Sequence, residues 1–568
     1  MVTRRDFVQA AIATAVLTGT STGLARAAAR QAITQADLLR FEPMGQVTLL
    51  HFTDLHAQLM PVYFREPSEN IGVGADSGLP PHLTGTAFLE AFGIAPGSAG
   101  AYALSSLDFS SLAKEYGRLG GLDRMATLVK SIRAERPAQT LLLDGGDTWQ
   151  GSYTSLKERG ADMVAAQNML GVDAMTAHWE FTYGQDRVKE LKAQLKAPFL
   201  CGNVKDATWG ERIFDGSKMF ERGGVAVAVI GQAFPYTPIA NPRWLMPDWS
   251  FGIEEDRVRA EVDAARKAGA DVVVLLSHNG FDVDRKLAAR VPGIDVILTG
   301  HTHDAIPRSV MVGSTILTAP GSHGKFLGRL DLAVKNKRVV DHRFRLIPIF
   351  TDAVASDPDM AALIAKVRAP YAADLRRVLA RTDSLLYRRG NFNGTFDDLI
   401  CQALLEGRNA QIALSPGFRW GSSLLPGQDI TLEDLYNQTA ITYPAAYRST
   451  MSGATLKAIF EDVADNLFNP DPYYQQGGDM VRVGGMSYAI DVAKPIGSRI
   501  SEMRLDNGAT IEAAKNYVVA GWASVNQGTE GPAVYDVVSG YLRQKKVVTV
   551  PERHVVRVRG ADPRGMGH

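Results

Sequence analysis

The sequence predicts an α/β protein built from two domains. The chain has 568 residues, more than a single hydrophobic core organises. From residue 45 to about 350, short β-branched apolar runs alternate with amphipathic stretches, a pattern typical of a layered α/β domain. Hydrophobic residues make up 45% of the chain and the formal net charge is zero, so we expect no nucleic-acid partner.

The first residues have the features of an export signal. A pair of arginines at Arg4 and Arg5 precedes an apolar stretch from residue 10 to 24, and an A-R-A sequence ends at Ala27. This order is typical of a twin-arginine signal peptide over residues 1–27. A chance arginine pair before an amphipathic helix is the alternative. The apolar stretch is too short to span a bilayer, so we expect a periplasmic protein, exported folded and without a membrane span.

Composition and periodicity suggest the domain limits. We predict a catalytic domain over residues 42–350, a linker helix over 355–381 interrupted by Pro370, and a C-terminal substrate-binding domain over 382–562. In the first domain we expect helices at 123–135, 154–170 and 253–269, and strands at 225–231 and 330–334. The long Pro-, Gly- and Ser-rich connection from His56 to Gly120 is typical of a lid or a binding loop.

Five apolar, strand-like runs stop at potential metal ligands. They lead to seven such residues: Asp54, His56, Asp147, His178, His278, His301 and His303. In open α/β sheets, ligands bind outside the carboxyl ends of the strands, so these side chains can converge. Carboxylate plus imidazole donors suit manganese, iron or zinc better than magnesium or calcium. Because Asp147 follows a Gly-Gly turn, it can bridge two ions, and the pattern predicts a two-metal hydrolase.

Three further residues are interpreted as structural. Cys201 ends a buried-looking strand and Cys401 lies in an apolar helical pattern, and two cysteines are too few for a disulfide framework. His323, near the last metal motif, is also assigned a structural role. We therefore expect no nucleophile among these three.

Four of the motifs resemble those of calcineurin-like metallophosphoesterases, especially the periplasmic 5′-nucleotidase branch. They are Asp54-Leu-His56, Gly145-Gly-Asp147, Ser277-His278-Asn-Gly280 and Gly300-His301-Thr-His303. The resemblance also covers residues 417–419, 430–436 and 481–491. It implies an N-terminal four-layer α/β/β/α domain and a C-terminal α/β domain of the 5′-nucleotidase type.

The third motif departs from the nucleotidase pattern G-N-H-E-F-D. Here the sequence is Ala177-His178-Trp179-Glu180-Phe181-Thr182. His178 takes the ligand position, while the catalytic His–Asp dyad of the nucleotidases is replaced by Trp179 and Thr182. His303 stands where many nucleotidases have Gln, and residues 525–531 replace a segment that carries a base-stacking aromatic. These departures disfavour a nucleotide as the substrate.

The same substitutions are similar to the SoxB family, dimanganese sulfate thiohydrolases of the sulfur-oxidation (Sox) pathway; residues 65–70 and 147–152 also resemble it. The resemblance implies two divalent ions, manganese with zinc as the alternative. It implies a cysteine-linked S-sulfonate or thiosulfonate on the carrier SoxYZ as the substrate in thiosulfate oxidation, with other Sox proteins as further partners. Hydroxide held by the ions would attack the sulfonate sulfur. A persulfide or thiolate leaves readily as an anion, so the missing general acid is tolerable.

We assign roles on this basis. Asp54, His56, Asp147 and His303 are expected on one ion, and Asp147, His178, His278 and His301 on the other. Arg419 is the candidate for gripping the sulfonate, with an interdomain salt bridge as the alternative; Trp179 walls the site, or packs in the core. Asp144 and Glu180 are expected to support the backbone or the ligating histidines by hydrogen bonds. Asp304 is expected to do the same, with a cap on the following loop as the alternative. The rival functions are a periplasmic 5′-nucleotidase or related phosphoesterase, and a carrier-binding protein with structural metals.

Overall fold

The computed structural model describes residues 33–567, so the predicted signal peptide lies outside the described residues. Two mixed sheets form the centre of the N-terminal half. In spatial order the first comprises Arg338–Pro348, Phe326–Lys335, Val47–Phe52, Thr140–Asp144 and Ala174–Met175. The second comprises Val310–Val312, Thr315–Thr318, Val296–Thr299, Val272–Ser277, Val225–Gln232 and Ser217–Arg222. In both sheets the central strands run parallel, so their carboxyl ends share one edge.

The strands are apolar on both faces, and this makes four layers. Leu49 and Leu141 of the first sheet share a buried cluster with Val227 and Val274 of the second. Side chains on the outer faces join the helices instead. The first sheet is covered by Leu122–Glu135, Ala161–Leu170 and Pro358–Arg368, and the second by Glu255–Lys267 and Phe281–Arg290. Runs of Val, Ile and Leu buried on both faces are typical of sheets packed between layers, and the predicted α/β/β/α arrangement is confirmed.

The C-terminal half is a second α/β unit. Its sheets contain Tyr447–Ser452, Asn516–Gly521, Ile412–Gly417 and Asp479–Gly484 in one, Ile500–Leu505, Met486–Asp491 and Val556–Arg559 in another, and Asp429–Thr431, Val378–Thr382 and Val547–Val548 in a third. The main helices are Thr395–Arg408, Leu432–Thr439, Gly453–Phe468 and Val534–Lys545. The two halves meet along the edge where the parallel strands end.

The predicted linker helix over 355–381 is too long. The structure has a helix at Pro358–Arg368, a 3₁₀ turn at Ala369–Tyr371 and a short helix at Ala372–Leu375. Pro370 has no N–H to donate to the preceding turn, which ends the regular helix. The chain then enters a strand, Val378–Thr382, that pairs with Asp429–Thr431. The domain limits themselves stay predictions.

The other predicted elements compare as follows. The helices at 123–135 and 253–269 correspond to Leu122–Glu135 and Glu255–Lys267. The predicted helix at 154–170 is two helices, Tyr153–Glu158 and Ala161–Leu170, because Arg159 and Gly160 both have left-handed backbone. The predicted strands lie within Val225–Gln232 and Phe326–Lys335.

The long connection after His56 is folded onto both halves. It contains the helices Gly85–Phe92, Ala99–Leu104 and Phe109–Tyr116. Buried Lys325 forms an ion pair with Glu66, and the Asn70 amide donates to the Gly565 carbonyl oxygen at 2.9 Å. This segment is therefore part of the packed structure. Cys201 and Cys401 are free and buried, and no helix in the described part of the chain is long and apolar enough to cross a membrane.

Candidate metal centre

The seven predicted ligands meet where the parallel strands of both sheets end. Asp54 and His56 follow the strand Val47–Phe52, and their amides donate to the carbonyl oxygens of Gly146 and Asp147 at 2.8 and 2.7 Å. These bonds tie the loops after two neighbouring strands together. His278, His301 and His303 follow strands of the second sheet. The edge shared by the two sheets therefore collects side chains that are up to 250 positions apart in sequence.

Five of these residues have backbone angles that side chains rarely adopt. The φ angles are 52° at Asp54, 47° at His56, 58° at Asp147, 76° at His301 and 61° at His303. Left-handed backbone at a non-glycine residue persists only where the surroundings hold it, and such residues cluster at functional sites. The strand-end loops are thus bent so that each side chain points into one buried space.

The side chains form two groups that can each hold a metal ion. One group is Asp147, His178, His278 and His301, and the other is Asp54, His56, Asp147 and His303. Within each group one donor atom from every residue lies within 4.8 Å of the others, and all are buried. Asp147 belongs to both groups, so its carboxylate can bridge. The division equals the one predicted from the sequence; that these side chains bind ions stays a prediction.

The candidate ligand histidines have buried ring nitrogens that are available to bind divalent cations. The Nε2 atoms of His178, His278 and His301 are buried without a hydrogen-bond partner among the residues described. The Nε2 atoms of His56 and His303 lie 3.1 Å apart. Buried lone pairs that face one another are costly unless a cation or proton satisfies them. Imidazole and carboxylate donors around one space suit a first-row transition metal.

Glu180 and Asp144 accept hydrogen bonds from the loops that carry the candidate ligands, as predicted. The Glu180 carboxylate accepts hydrogen bonds from the amides of His178 at 2.8 Å, Asp147 at 3.2 Å and Thr148 at 2.6 Å. Asp144 accepts from the Thr148 hydroxyl at 2.8 Å and the Gln167 amide at 2.6 Å. Both carboxyls therefore support the turn that carries Asp147.

The contacts of Asp304 differ from those predicted from the sequence. Its carboxylate accepts from the Asn70 side chain at 3.0 Å and lies 3.5 Å from the Arg389 guanidinium. The described contacts do not include a hydrogen bond from Asp304 to a candidate ligand histidine. Its backbone carbonyl is used as well, because the Gly321 amide donates to it at 2.9 Å. Asp304 thus connects the centre to the C-terminal half.

Charge at the centre favours cations. Burial alone would raise the pKa of Asp147, but the neighbouring His178 and His278 hold it well below its usual value. Burial would lower the pKa of His278, whereas the Asp147 and Asp54 carboxylates raise it to about 10. His278 Nδ1 lies 2.6 Å from the Gly145 carbonyl oxygen. A proton on Nδ1 leaves Nε2 for the ion site, the usual arrangement for a ligating histidine.

A cavity of about 230 Å³ opens above the centre, and we call it the aromatic cavity. Candidate ligands form its floor, and Trp179, Phe234, Phe418 and Trp420 form its walls. Trp179 meets the Trp420 ring edge-on at 4.7 Å, and Phe418 stacks on Trp420 at 3.9 Å. Trp179 is therefore both a packed residue and a cavity wall. Thr182, at the other lost dyad position, lies 2.8 Å from the Thr442 hydroxyl.

Arg419 lines the aromatic cavity but is already engaged. It donates to the carbonyl oxygens of Gly478 at 2.7 Å and His301 at 3.4 Å, and its Nε lies 3.5 Å from Asp479. Both alternatives from the sequence, an anion contact and an interdomain contact, thus stay open for this residue. Asp479 was missed by sequence reasoning because its partners are distant in the chain.

The two wall residues Phe234 and Trp420 were also missed. Phe234 stacks on the His301 ring at 4.1 Å, and Trp420 lies 5.5 Å from the His56 ring. Phe234 follows the apolar strand Val225–Gln232, so the strand-end rule that found the ligands could have found it. Trp420 is next to Arg419 in the motif that suggested the C-terminal contact.

Comparison with known proteins places the chain in a family. A family model described as "5'-nucleotidase, C-terminal domain" matches residues 378–539. The 5′-nucleotidase of Bos taurus is 25% identical over 432 residues, covering 68% of this chain and 73% of that protein. The structure titled sulfate thiohydrolase SoxB from Thermus thermophilus, in complex with glycerol, matches with a TM-score of 0.88 and 37% identity, covering 92% of this chain and 98% of that one. The chain belongs to the SoxB family. The fold of this chain is also similar to that of a 5′-nucleotidase precursor from Thermus thermophilus, with a TM-score of 0.72 and 22% identity over 90% of this chain and 99% of that one.

Family membership confirms the predicted resemblance and both halves of the fold. The chain is a hydrolase of the 5′-nucleotidase and metallophosphoesterase superfamily, with buried Asp and His groups that can hold two metal ions.

Proposed function

We propose that this SoxB-family chain releases sulfate from a cysteine-linked S-sulfonate or thiosulfonate. The observation that carries the proposal is the third strand-end motif. His178 lies in one of the two ligand groups, while Trp179 forms a cavity wall and Thr182 contacts Thr442. The two positions that provide a general acid in nucleotidases therefore provide none here. A sulfur leaving group is stable as an anion near neutral pH and does not need one.

The chain's own residues prepare the site in four ways. Glu180 and Asp144 fix the turn that holds Asp147, and the Gly145 carbonyl oxygen accepts a hydrogen bond from His278 Nδ1. The rings around the cavity keep bulk water from the reacting bond. Arg419 is the candidate for orienting the sulfonate. Two divalent cations, manganese with zinc as the alternative, would supply water activation and charge neutralisation when bound in the two groups.

The bond changes follow from the substrate. An oxygen of water bonds to the sulfonate sulfur, the bond between that sulfur and the carrier's sulfur breaks, and the electron pair leaves with the persulfide or thiolate. Both protons of water go to solvent, so the products are sulfate, the sulfur anion and two protons. Asp147 and Asp54 would be neutralised by the cations, which leaves a centre that accepts an anionic sulfonate.

The proposed partner is the SoxYZ carrier, whose cysteine would enter the aromatic cavity on a flexible arm; other Sox pathway proteins are further candidates. The neighbour titled SoxB supports a partner of this pathway. The cavity has room for a narrow, extended segment at about 230 Å³. We propose a periplasmic location reached by the twin-arginine pathway, supported by the sequence of residues 1–27.

The experiment compares two substrates on protein reconstituted with manganese or zinc. One is a thiosulfonated cysteine peptide with a glycine-rich arm, with sulfate as the product measured; the other is AMP, with phosphate measured. We expect metal-dependent sulfate release and little phosphate. Faster release of phosphate would instead establish a 5′-nucleotidase. Metal binding with neither product would establish the carrier-binding alternative.

A matched variant tests the reason given for the selectivity. Trp179→His combined with Thr182→Asp restores the nucleotidase dyad at its own positions. We expect this double variant to gain phosphate release from AMP relative to the wild-type chain. The single variant Thr182→Asp lacks the imidazole and serves as the control. Equal AMP hydrolysis in all three proteins would contradict the argument from the third motif.

A further inference from the structure

A second cavity lies on the other side of His301 from the aromatic cavity. It has a volume of about 60 Å³, and residues that line it include His82, Asn279, Asp282, Arg389 and Leu467. We call it the polar chamber. His301, Arg419, Asn466 and Gly477 line both cavities. The two spaces are thus neighbours separated by these four residues.

The partition between the cavities is thin at Gly477. This glycine has a φ of 81°, and a Cβ atom there would lie 2.1 Å from His301 Nε2. No larger residue can occupy the position without displacing the His301 ring. The chain therefore keeps its backbone in direct contact with a candidate ligand at the boundary of the two spaces.

The polar chamber contains buried polar atoms that need partners. His82 Nδ1, Asn279 Oδ1, Asp282 Oδ1 and Arg389 Nε have no hydrogen-bond partner within residues 33–567. These residues are 9% exposed or less. Each unsatisfied buried group costs about 1–3 kcal/mol. Arg389 Nε can only donate, Asn279 Oδ1 can only accept, and both kinds lie around one space.

Water satisfies such a mixed set, because each molecule both donates and accepts. A buried water needs roughly 10–15 Å³ of this volume and two to four polar partners. A chamber of about 60 Å³ therefore has room for about four waters. The chamber is lined by Asp282 and Asp304 as well as by Arg389 and Arg419, and water suits such a lining of mixed charge.

The chamber also holds a pair that can exchange protons with water. His82 Nε2 lies 2.7 Å from Asp282 Oδ2, and both side chains are buried. His82 comes from the long connection and Asp282 from the first turn of Phe281–Arg290. Asp76, Arg285, Asp304 and Arg419 are the other charged groups beside this pair. His82 uses Nε2 to contact Asp282, and its Nδ1 can therefore bind water in the chamber.

The proposed function creates a need for this space. A carrier arm that fills the aromatic cavity blocks the approach of water from its mouth, yet each turnover consumes one water molecule. We propose that the polar chamber binds water and delivers it past His301 to the metal centre while the arm is in place. This inference rests on the proposed function. The oxygen delivered bonds to the sulfonate sulfur, the sulfur–sulfur bond breaks with its electron pair on the leaving sulfur, and both protons of the water pass to the chamber's water.

The test narrows the chamber and compares two substrates. Leu467 lines the polar chamber but not the aromatic cavity, and it is half-buried on the helix Gly453–Phe468. Leu467→Trp adds bulk at this place, and Leu467→Ala removes it. Ala454→Trp, at an exposed position of the same helix, is the matched control. The small substrate is free S-sulfocysteine, which leaves the cavity mouth open. The large substrate is the thiosulfonated carrier.

We expect Leu467→Trp to lower kcat on the carrier roughly tenfold more than kcat on the small substrate. Leu467→Ala and Ala454→Trp should keep the wild-type ratio. An unchanged ratio in Leu467→Trp, with normal metal content, overturns the chamber proposal. Sulfate release from neither substrate by the wild-type chain is a different outcome, because it overturns the proposed function itself. A variant that fails to fold is identified by its metal content and circular dichroism, and Leu467→Phe then replaces Leu467→Trp.

Discussion

Two buried groups of charged residues lie near the line where the halves meet, and they are built in opposite ways. One is the candidate metal centre. The other, the arginine cluster, comprises Arg388, Arg389, Arg419 and Arg482 with Asp397 and Asp479. Arg388 donates to Asp397 at 2.8 Å, and Arg482 donates to Asp479 at 3.2 Å. In this cluster positive and negative charges face one another.

At the candidate metal centre, imidazole nitrogens and carboxylate oxygens face one another. His278 Nε2 lies 3.2 Å from Asp147 Oδ2, and His303 Nε2 lies 3.1 Å from Asp54 Oδ1. Five imidazoles and two carboxylates share the space, whereas four guanidinium groups surround the two carboxylates of the other cluster. The comparison shows that the carboxylates of the arginine cluster already have cationic partners within the protein, whereas the candidate metal centre has a donor set that can hold added cations. One should respond to changes as a structural core, the other as a binding site.

The largest effect should come from Asp147→Asn. The substitution keeps the shape and removes the one charge that both ligand groups share. We expect metal content, measured by elemental analysis, to fall below two ions per chain and sulfate release to fall below detection. Asp186→Asn, at an exposed position of the helix Gln185–Gln194, is the control. Full metal content and activity in Asp147→Asn would remove Asp147 from the assigned set.

The next effect should come from Asp479→Asn, and it should be on stability. The substitution removes the negative charge that faces Arg482 and Arg419, and breaking a buried ion pair costs about 3–5 kcal/mol. We expect a lower free energy of unfolding in denaturant titration, with metal content per folded chain unchanged. A variant as stable as the wild type would mean that the two clusters do not differ in the way argued.

A smaller effect should follow from Glu180→Gln. The glutamine has one acceptor oxygen and an amide group, so it cannot accept from all the backbone amides that Glu180 now satisfies. Loss of such a supporting hydrogen bond lowers metal affinity by about 10–100-fold, and calorimetric titration of the metal-free protein measures it. Glu190→Gln, on an exposed side chain, is the control. Unchanged affinity would show that the turn holds Asp147 without Glu180.

The smallest effect should come from Arg553→Gln. Arg553 donates to Asp506 at 2.9 Å, but both side chains are about two-fifths exposed, at 40% and 43%. Exposed ion pairs contribute about 1 kcal/mol or less. We expect the free energy of unfolding to change by no more than that. A loss as large as that of Asp479→Asn would mean that burial is not what separates the two kinds of pair.

Much of the candidate metal centre could be predicted from the sequence, because the pattern that marks each ligand lies in the residues next to it. Each candidate ligand follows an apolar run, and parallel strands bring their carboxyl ends to one edge. His178 and Asp147 could therefore be grouped although 31 positions separate them. Glu180 was expected to support the backbone or a ligating histidine, and it accepts from the amides of His178 and Asp147.

The rest depends on contacts that no local pattern contains. Asp304 was expected to support a ligand, but the C-terminal half brings Arg389 within 3.5 Å of it. The wall residue Trp420 comes from the C-terminal half and reaches the candidate ligands only after folding. The linker helix was predicted to continue beyond Pro370 to residue 381, but Val378–Thr382 instead pairs with Asp429–Thr431, a contact that is distant in sequence.

One buried imidazole, His323, connects the two halves at the metal centre. Its Nε2 accepts a hydrogen bond from the Gly421 amide at 3.2 Å, and its ring lies 5.5 Å from His56 and 5.7 Å from His303. A hinge rotation of the C-terminal half would have to break this bond and separate Trp420 from the ligand rings. Any such rotation would therefore disturb the candidate metal centre.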